Sequence, residues 1–408
     1  MKNYDIGIVG GGVAGAFAAL RLAEFHKRSK AVLFELGRPP GKRRRPLEGW
    51  LGCFPTGDGK VYPGDIEKVL EVADGRRVKA INRWVYRHLN EVNPAKIVRS
   101  RTPAAALQTK IQKAGFEFST RDYQQWRPDC IHQLSRLVAE RIEDAGNVTW
   151  SFDNEVFEIA KRGGNFVIDT EAGEFKCKRL ILCVGRSGWR WVNKLYRDLG
   201  ILTSDDVAKY GVRIELPAQY LKEFNKSHCL LERDAVQVGQ LQVGPFHWGG
   251  SIIQEDHADM TIAAFRSNED RWKSDKAFFS IIKMQEYEDE GCAQTNRLAQ
   301  LCFLLSGDRV GREKIRSFLR KQDQLSLLPE FKWLPGVIQE LAEFIPALPD
   351  RAYYHYPDII TTGISNIRVG SNLESEVKGL YVAGESAGIP GILAAAISGG
   401  LAAESSTK

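Results

Sequence analysis

Three glycines near the start of the chain, Gly10, Gly12 and Gly15, stand in the spacing G-x-G-x-x-G, with Val13 and Ala14 between the last two. In that spacing the first glycine allows a tight turn and the second lets backbone approach a pyrophosphate. The third lets a helix lie close on a strand, with its positive N-terminal end facing the negative charge. Glu35 follows twenty residues after Gly15, at the end of the next apolar run, where a carboxylate can accept from ribose hydroxyls. The chemistry expected of this set is dinucleotide binding. An acid at that position argues against a 2′-phosphate, and so against NADPH occupying this site.

The elements needed to hold these residues are legible around them. Tyr4–Val9 reads as a strand, Gly10–Gly15 as the turn, Ala16–Lys27 as a helix and Ala31–Glu35 as a second strand, which together make one βαβ unit. Further on, Leu134–Ala145 has helical periodicity. Alternating runs follow at Val148–Phe152, Glu155–Ala160, Asn165–Asp169 and Glu174–Lys176, and then the continuous apolar run Arg179–Val184, which suits a buried parallel strand. The texture then changes. Strand-like runs are expected at Val212–Leu216, Val236–Val243, Met260–Arg266 and Phe278–Lys283, and helices at Cys292–Leu305, Val310–Lys321 and Gly336–Phe344. This division predicts a nucleotide-binding domain in two parts, residues 1–200 and 360–408, with a substrate or cap domain inserted at 201–359.

At the other end, Leu380–Ala383 reads as an apolar strand, followed by Gly384, Glu385, Gly388, Pro390, Gly391 and a helix from Ile392. The N–H groups that open such a helix can stabilise an anion. The run Gly379-Leu-Tyr-Val-Ala-Gly-Glu385 with its glycine-rich helix start resembles the second FAD motif of the glutathione-reductase-type flavoproteins. Within that superfamily the chain resembles most the putative NAD(FAD)-utilising dehydrogenases. The similar pieces are Gly384-Glu385, Gly52-Cys-Phe-Pro-Thr-Gly-Asp-Gly-Lys60, the strand ending Val184-Gly-Arg-Ser187, and Gly211-Val-Arg-Ile-Glu215.

The resemblance implies an α/β fold: a Rossmann-like FAD-binding domain with a parallel sheet and an inserted α+β substrate or cap domain. It implies FAD contacts at Gly10, Gly12, Val13, Ala14, Gly15, Glu35, Leu36, Lys42, Arg43, Val156, Gly185, Gly384, Glu385, Gly391 and Ile392. Gly41–Arg45 would lie by the phosphates or adenine, Val156 would meet adenine through its backbone, and Gly52–Lys60 would approach the flavin ring. The paired motifs, with an inserted domain large enough to build a pocket over the ring, predict an FAD-dependent oxidoreductase that dehydrogenates or reduces a small organic substrate by hydride transfer at flavin N5, with NAD(P)H admitted as a transient donor. Two alternatives stay open: a monooxygenase or oxidase using O₂, and a flavoprotein whose FAD is structural or sensing.

Departures from the superfamily narrow this. Aromatic hydroxylases usually carry Asp-Gly where this chain has Gly185-Arg-Ser-Gly188, followed by Trp189-Arg-Trp191. Neither a second glycine fingerprint nor a redox cysteine pair is present, which sets disulfide reduction aside. For acid–base work the candidate is His247, in Pro245-Phe-His-Trp-Gly-Gly250, read either as a catalytic or as a structural histidine; Tyr353–Tyr356 is a second cluster to watch. Cys53 is read as packing in preference to a covalent flavin link.

Composition bounds the rest. The 408 residues suit two domains, and 43% hydrophobic with 26% charged residues is ordinary for a globular protein. A net charge of +6 with no interleaved aromatic and basic motif predicts no nucleic-acid partner. Seven cysteines in no paired spacing predict reduced thiols and a cytoplasmic location. The apolar stretches Ile6–Ala23 and Ile389–Ala403 are glycine-dense and short of or barely near the ~20 residues of a membrane span, so no membrane association is expected. A small-molecule substrate is the expected partner, and the oligomeric state is left open.

Overall fold

The computed structural model describes residues 2–42, 49–51, 59–235, 239–257, 260–267, 270–288, 290–360 and 363–408. The chain forms two compact units: residues 1–96, 124–204 and 364–408 make the first, and residues 97–123 and 205–363 the second.

The first unit is α/β. Its strands are β1 (Lys2–Val9), β2 (Ala31–Phe34), β3 (Val148–Ser151), β4 (Val156–Arg162), β5 (Asn165–Thr170), β6 (Gly173–Leu182) and β7 (Leu380–Val382). A parallel sheet runs in the order β3-β2-β1-β6-β7. The half of β6 near Gly173 carries the antiparallel pair β5 and β4. Every residue of β2 and of β7 is buried, the composition expected of parallel strands covered on both faces. The runs 174–176 and 179–184, read separately in the sequence, are mostly one strand, because β6 pairs with β1 along its length from Phe175 to Leu182.

Helices cover the sheet: α1 (Val13–Phe25), α2 (Gly75–Val92), α3 (Pro128–Ala145), α4 (Trp189–Asp198) and α5 (Ile392–Ser406). Local chemistry sets their ends. Asp74 caps α2 by accepting from the N–H groups of Arg76 and Arg77. Proline opens α3, and Gly146, in the left-handed region at φ +70°, closes it. α1 and α5 are built largely of small apolar residues, and the reason is steric: a Cβ on Gly399 would lie 2.0 Å from the carbonyl oxygen of Ala14.

The second unit is α+β, built on an antiparallel sheet in the order Gly311–Lys314, Tyr353–Ile359, Val207–Pro217, Lys276–Glu286, Gly239–Val243, Cys229–Ala235 and Glu117–Thr120. Ser251–His257 and Met260–Arg266 form a separate hairpin. The helices Gly291–Leu305 and Leu334–Ala342 contribute to its core.

Two expectations need correction. Residues 97–123 fell inside the expected first domain, yet they join the second unit because Glu117–Thr120 pairs with Cys229–Glu232. Val310–Lys321 is not one helix: Gly311–Lys314 is an edge strand on Tyr353–Tyr356, and only Ile315–Leu319 is helical.

Candidate functional site

The three fingerprint glycines have different surroundings. Gly10 sits at φ +98°, its N–H donating to the Phe34 oxygen at 2.9 Å, and a Cβ there would lie 2.7 Å from the Cys183 oxygen. A Cβ on Gly15 would fall 1.8 Å from the Gly10 oxygen, so this glycine is what lets α1 start where it does. Gly12, the N-cap of α1, has no side-chain cap, and a Cβ built on it meets nothing within 4 Å. The first intrahelical bond is from the Ala16 N–H to the Gly12 oxygen at 2.9 Å, so the N–H groups of Gly12, Val13, Ala14 and Gly15 form the donor-rich end of the helix dipole beside open space.

Glu35 lies at this turn, buried, but with more partners than ribose recognition requires. One carboxylate oxygen accepts from the Gly11 N–H at 2.5 Å, and the other from Gly37 at 2.7 Å and Gly49 at 3.2 Å. Two carboxylate oxygens offer about four acceptor positions, so among the described residues these three bonds leave one for a ligand hydroxyl. The backbone encloses the same point: Leu51 N–H donates to the Gly11 oxygen at 2.9 Å, Asn154 N–H to the Glu35 oxygen at 3.2 Å, and Asp153 N–H to the Gly37 oxygen at 3.1 Å. Val156, two residues beyond Asn154, opens β4 and is half-buried. Leu36 is 64% exposed and Lys42 is exposed. Arg43, Cys53 and residues 52–58 lie outside the described residues.

The C-terminal motif meets this turn. Glu385 accepts from the Arg186 N–H at 2.7 Å, and a Cβ on Gly185 would lie 3.6 Å from the same carboxylate oxygen. Gly384, at φ +65°, donates its N–H to Ser398 Oγ at 3.0 Å, and a Cβ on it would stand 3.2 Å from Ala14 Cβ. Gly391, at φ +102°, is the N-cap of α5, and Ile392 is its first helical residue. A Cβ on Gly391 would lie 3.3 Å from Asp65 Cβ, so Asp65 borders the helix start.

Topology explains why these loops meet. From β1 the chain steps outward to β2 and β3, then returns to the other side of β1 for β6 and β7, which makes the β1/β6 boundary a topological switch point. Val9, Phe34, Leu182 and Val382 end their strands at the same edge, where Cys183 N–H donates to the Val9 oxygen and Ala383 N–H to the Leu182 oxygen. Ligands of open α/β sheets bind in the crevice outside such carboxyl ends. Ala14, Gly185, Gly384 and Glu385 are thus gathered at one place. Gly37, Gly49, Arg186 and Gly399, which shape it, were missed because they act through backbone or by lacking a Cβ, and Ser398 because its hydroxyl, which accepts from the Gly384 N–H, lies within an apolar helix run. The one sequence signal for Gly399 was the glycine density of the last apolar stretch.

His247 belongs to the second unit. Its buried ring stacks on Phe265 at 4.6 Å between centroids and lies 5.6 Å from the ring of His228. In the Tyr353–Tyr356 strand, His355 Nε2 is 2.8 Å from a carboxylate oxygen of Glu215, which also pairs with Arg312 at 3.0 Å. Burial opposes ionisation of Glu215, but hydrogen bonds from His355 and Arg312 outweigh it and hold the carboxyl at about 2. Burial raises the thiols of Cys177, Cys229 and Cys302 to about 12, and pushes those of Cys183 and Cys292 up as well, away from thiolate chemistry. Among the described residues no group of three His, Cys, Asp or Glu side chains is placed to hold a metal ion, and no helix is long and apolar enough to cross a membrane.

No protein-family model matches the chain, and no curated protein matches it in sequence. Solved structures similar in outline include glycine oxidase from Geobacillus kaustophilus (15% identity, TM-score 0.41, 100% of this chain and 95% of that one). L-proline dehydrogenase from P. horikoshii is another (12%, 0.42, 99% and 93%), as is a geranylgeranyl bacteriochlorophyll reductase-like protein from Thermoplasma acidophilum (12%, 0.40, 99% and 78%). Likenesses of this size decide nothing about the chain, whose α/β class is read from its own parallel sheet and helices.

Proposed function

We propose that the chain is an FAD-dependent oxidoreductase acting on a small organic substrate, of the kind represented by the putative NAD(FAD)-utilising dehydrogenases it resembles in sequence. The observation that carries this reading is the uncapped start of α1 at Gly12, beside open space at the switch point of a parallel sheet, with the glycine-rich approach to α5 held to the same edge. The residues present fit the cofactor. The N–H groups of Gly12–Gly15 would hold the pyrophosphate, and the remaining acceptor position of Glu35 would take a ribose hydroxyl. The N–H groups opening α5 would face the pyrimidine edge of the flavin, with Leu36, Lys42, Arg43 and Val156 around the nucleotide. Bound FAD would supply two-electron chemistry, exchanging hydride at N5. His247 is proposed as the group that gives or takes a proton, and NAD(P)H as a transient donor; the buried free thiols support a reducing, cytoplasmic setting.

The test is spectral. Purified protein should be yellow, release FAD on denaturation and bleach anaerobically with a reduced pyridine nucleotide or with one member of an amine, alcohol and unsaturated-acid panel. Colourless protein that takes up no added FAD would overturn the reading, and bleaching followed by substrate-dependent oxygen uptake would move it to the oxidase class.

A further inference from the structure

We propose that the second unit carries a binding site for a planar organic anion, in a cavity of about 690 Å³ between the segment Val98–Arg101 and the turn Ala218–His228. That volume suits a small-molecule ligand. Arg99, Arg101, Lys222 and Lys226 line it, and no carboxylate does. Among the described residues none of these four cations forms an ion pair, unlike Arg213 and Arg233, which pair with Asp358 and Glu340 within the same unit. Four cations around one concavity repel one another, and a bound anion relieves that repulsion.

The uncharged wall is aromatic. Tyr123 and Trp248 both line the cavity, and each meets the ring of His228 edge-on, at 4.9 Å and 6.0 Å between centroids. Edges and faces of this kind pack against a flat π-system, while guanidinium groups take a carboxylate or sulfonate in a fork. The ligand expected is therefore an acid group on an unsaturated, planar body.

The walls are fixed by the fold. His228 N–H donates to Ser100 Oγ at 2.8 Å, Ala104 N–H to the Glu223 oxygen at 2.9 Å, and Asn225 Nδ2 to the Thr102 oxygen at 3.1 Å. Asp122, the acid adjoining Tyr123, is engaged by the Ser100 N–H at 2.9 Å. Asn225 and Lys226 stand consecutively in the left-handed region, at φ +52° and +55°, a conformation that side-chain-bearing residues adopt rarely and that positions Lys226 at the cavity. Residues 97–123 supply one wall, which gives a use to their joining this unit.

The claim concerns binding and stands apart from the flavin reading. Its test is calorimetric titration of the full chain at low salt with naphthalene-2-carboxylate, with the neutral naphthalene-2-carboxamide and with inorganic phosphate. The carboxylate should bind once per chain, and the amide and phosphate at least about tenfold more weakly, with affinity for the carboxylate falling as sodium chloride rises. Arg99→Gln with Arg101→Gln, and separately Lys222→Gln with Lys226→Gln, should each weaken the carboxylate about tenfold. All four side chains are exposed, so folding should hold; the comparison of acid with amide needs no variant at all. Equal affinity for acid and amide, unchanged affinity in both double variants, phosphate binding as tightly as the carboxylate, or no binding of the carboxylate would each overturn the proposal. Flavin absorbance read in the same samples separates the two claims. Yellow protein without carboxylate binding sinks this site alone, and protein that binds the carboxylate but is colourless and takes up no added FAD sinks the flavin reading alone.

Discussion

Gly12→Ala separates binding from folding at the candidate nucleotide site. The residue sits at φ −64° and ψ −168°, backbone that alanine adopts freely, and the new Cβ meets nothing within 4 Å. Placing alanine at an N-cap costs roughly 0.5–1 kcal/mol, and removing glycine's freedom from the unfolded chain returns about 0.4–1 kcal/mol. The stability of the flavin-free protein should therefore stay within about 0.5 kcal/mol of wild type in urea unfolding. The open space the methyl enters is where a pyrophosphate would approach the N–H groups of α1. Losing one charge-assisted hydrogen bond there, roughly 1.5–3 kcal/mol, weakens FAD about 10- to 100-fold. Both quantities are read on one preparation: urea midpoints for the apoprotein, and FAD affinity from quenching of flavin fluorescence. Wild-type affinity in Gly12→Ala would refute the reasoning, as would a loss of FAD wholly accounted for by unfolding.

Other substitutions test the frame around the site. Gly399→Ala puts a Cβ 2.0 Å from the Ala14 oxygen; overpacking of roughly 1–3 kcal/mol or more outweighs the helix-propensity gain of about 1 kcal/mol. Its urea midpoint should fall, and an unchanged midpoint would show that α1 and α5 can separate. Glu35→Gln sets an amide NH₂ against backbone N–H donors from Gly11, Gly37 and Gly49, so the apoprotein itself should lose about 2 kcal/mol; a variant as stable as wild type would return Glu35 to a purely ligand-binding role. Glu215 has its carboxyl held down at about 2, so its stabilisation is present above the ordinary carboxylate range and lost as pH falls from about 4.5 toward 2. Glu215→Gln should remove about 2 kcal/mol of that acid-side slope, after allowance for solvent at the rim of the pair; parallel slopes for variant and wild type would contradict it.

What the sequence made legible was local. Gly10–Gly15 and the strand before it are readable because turn, helix start and apolar run are adjacent in the chain, and Arg179–Val184 is readable because a strand buried on both faces must be apolar throughout. Val310–Lys321 misled because its helical composition is overruled at Gly311–Lys314 by pairing with Tyr353–Tyr356, forty residues away. Residues 97–123 misled for the same reason, since nothing in Glu117–Thr120 announces a partner at Cys229–Glu232. At the site, spacing puts Glu35 at the end of the second strand, but its three backbone donors were invisible, because an N–H group carries no sequence signature. The basic cavity escaped notice too: Arg99, Arg101, Lys222 and Lys226 are dispersed in the chain and become one patch only when folded.

The most direct measurement is a crystal structure of the chain grown with FAD. The pyrophosphate should lie against the N–H groups of Gly12–Gly15, with the adenosine beside Glu35 and the flavin's pyrimidine edge at the start of α5 near Gly391 and Ile392. FAD bound elsewhere, or the space beside Gly12 filled by the chain's own side chains, would contradict the account.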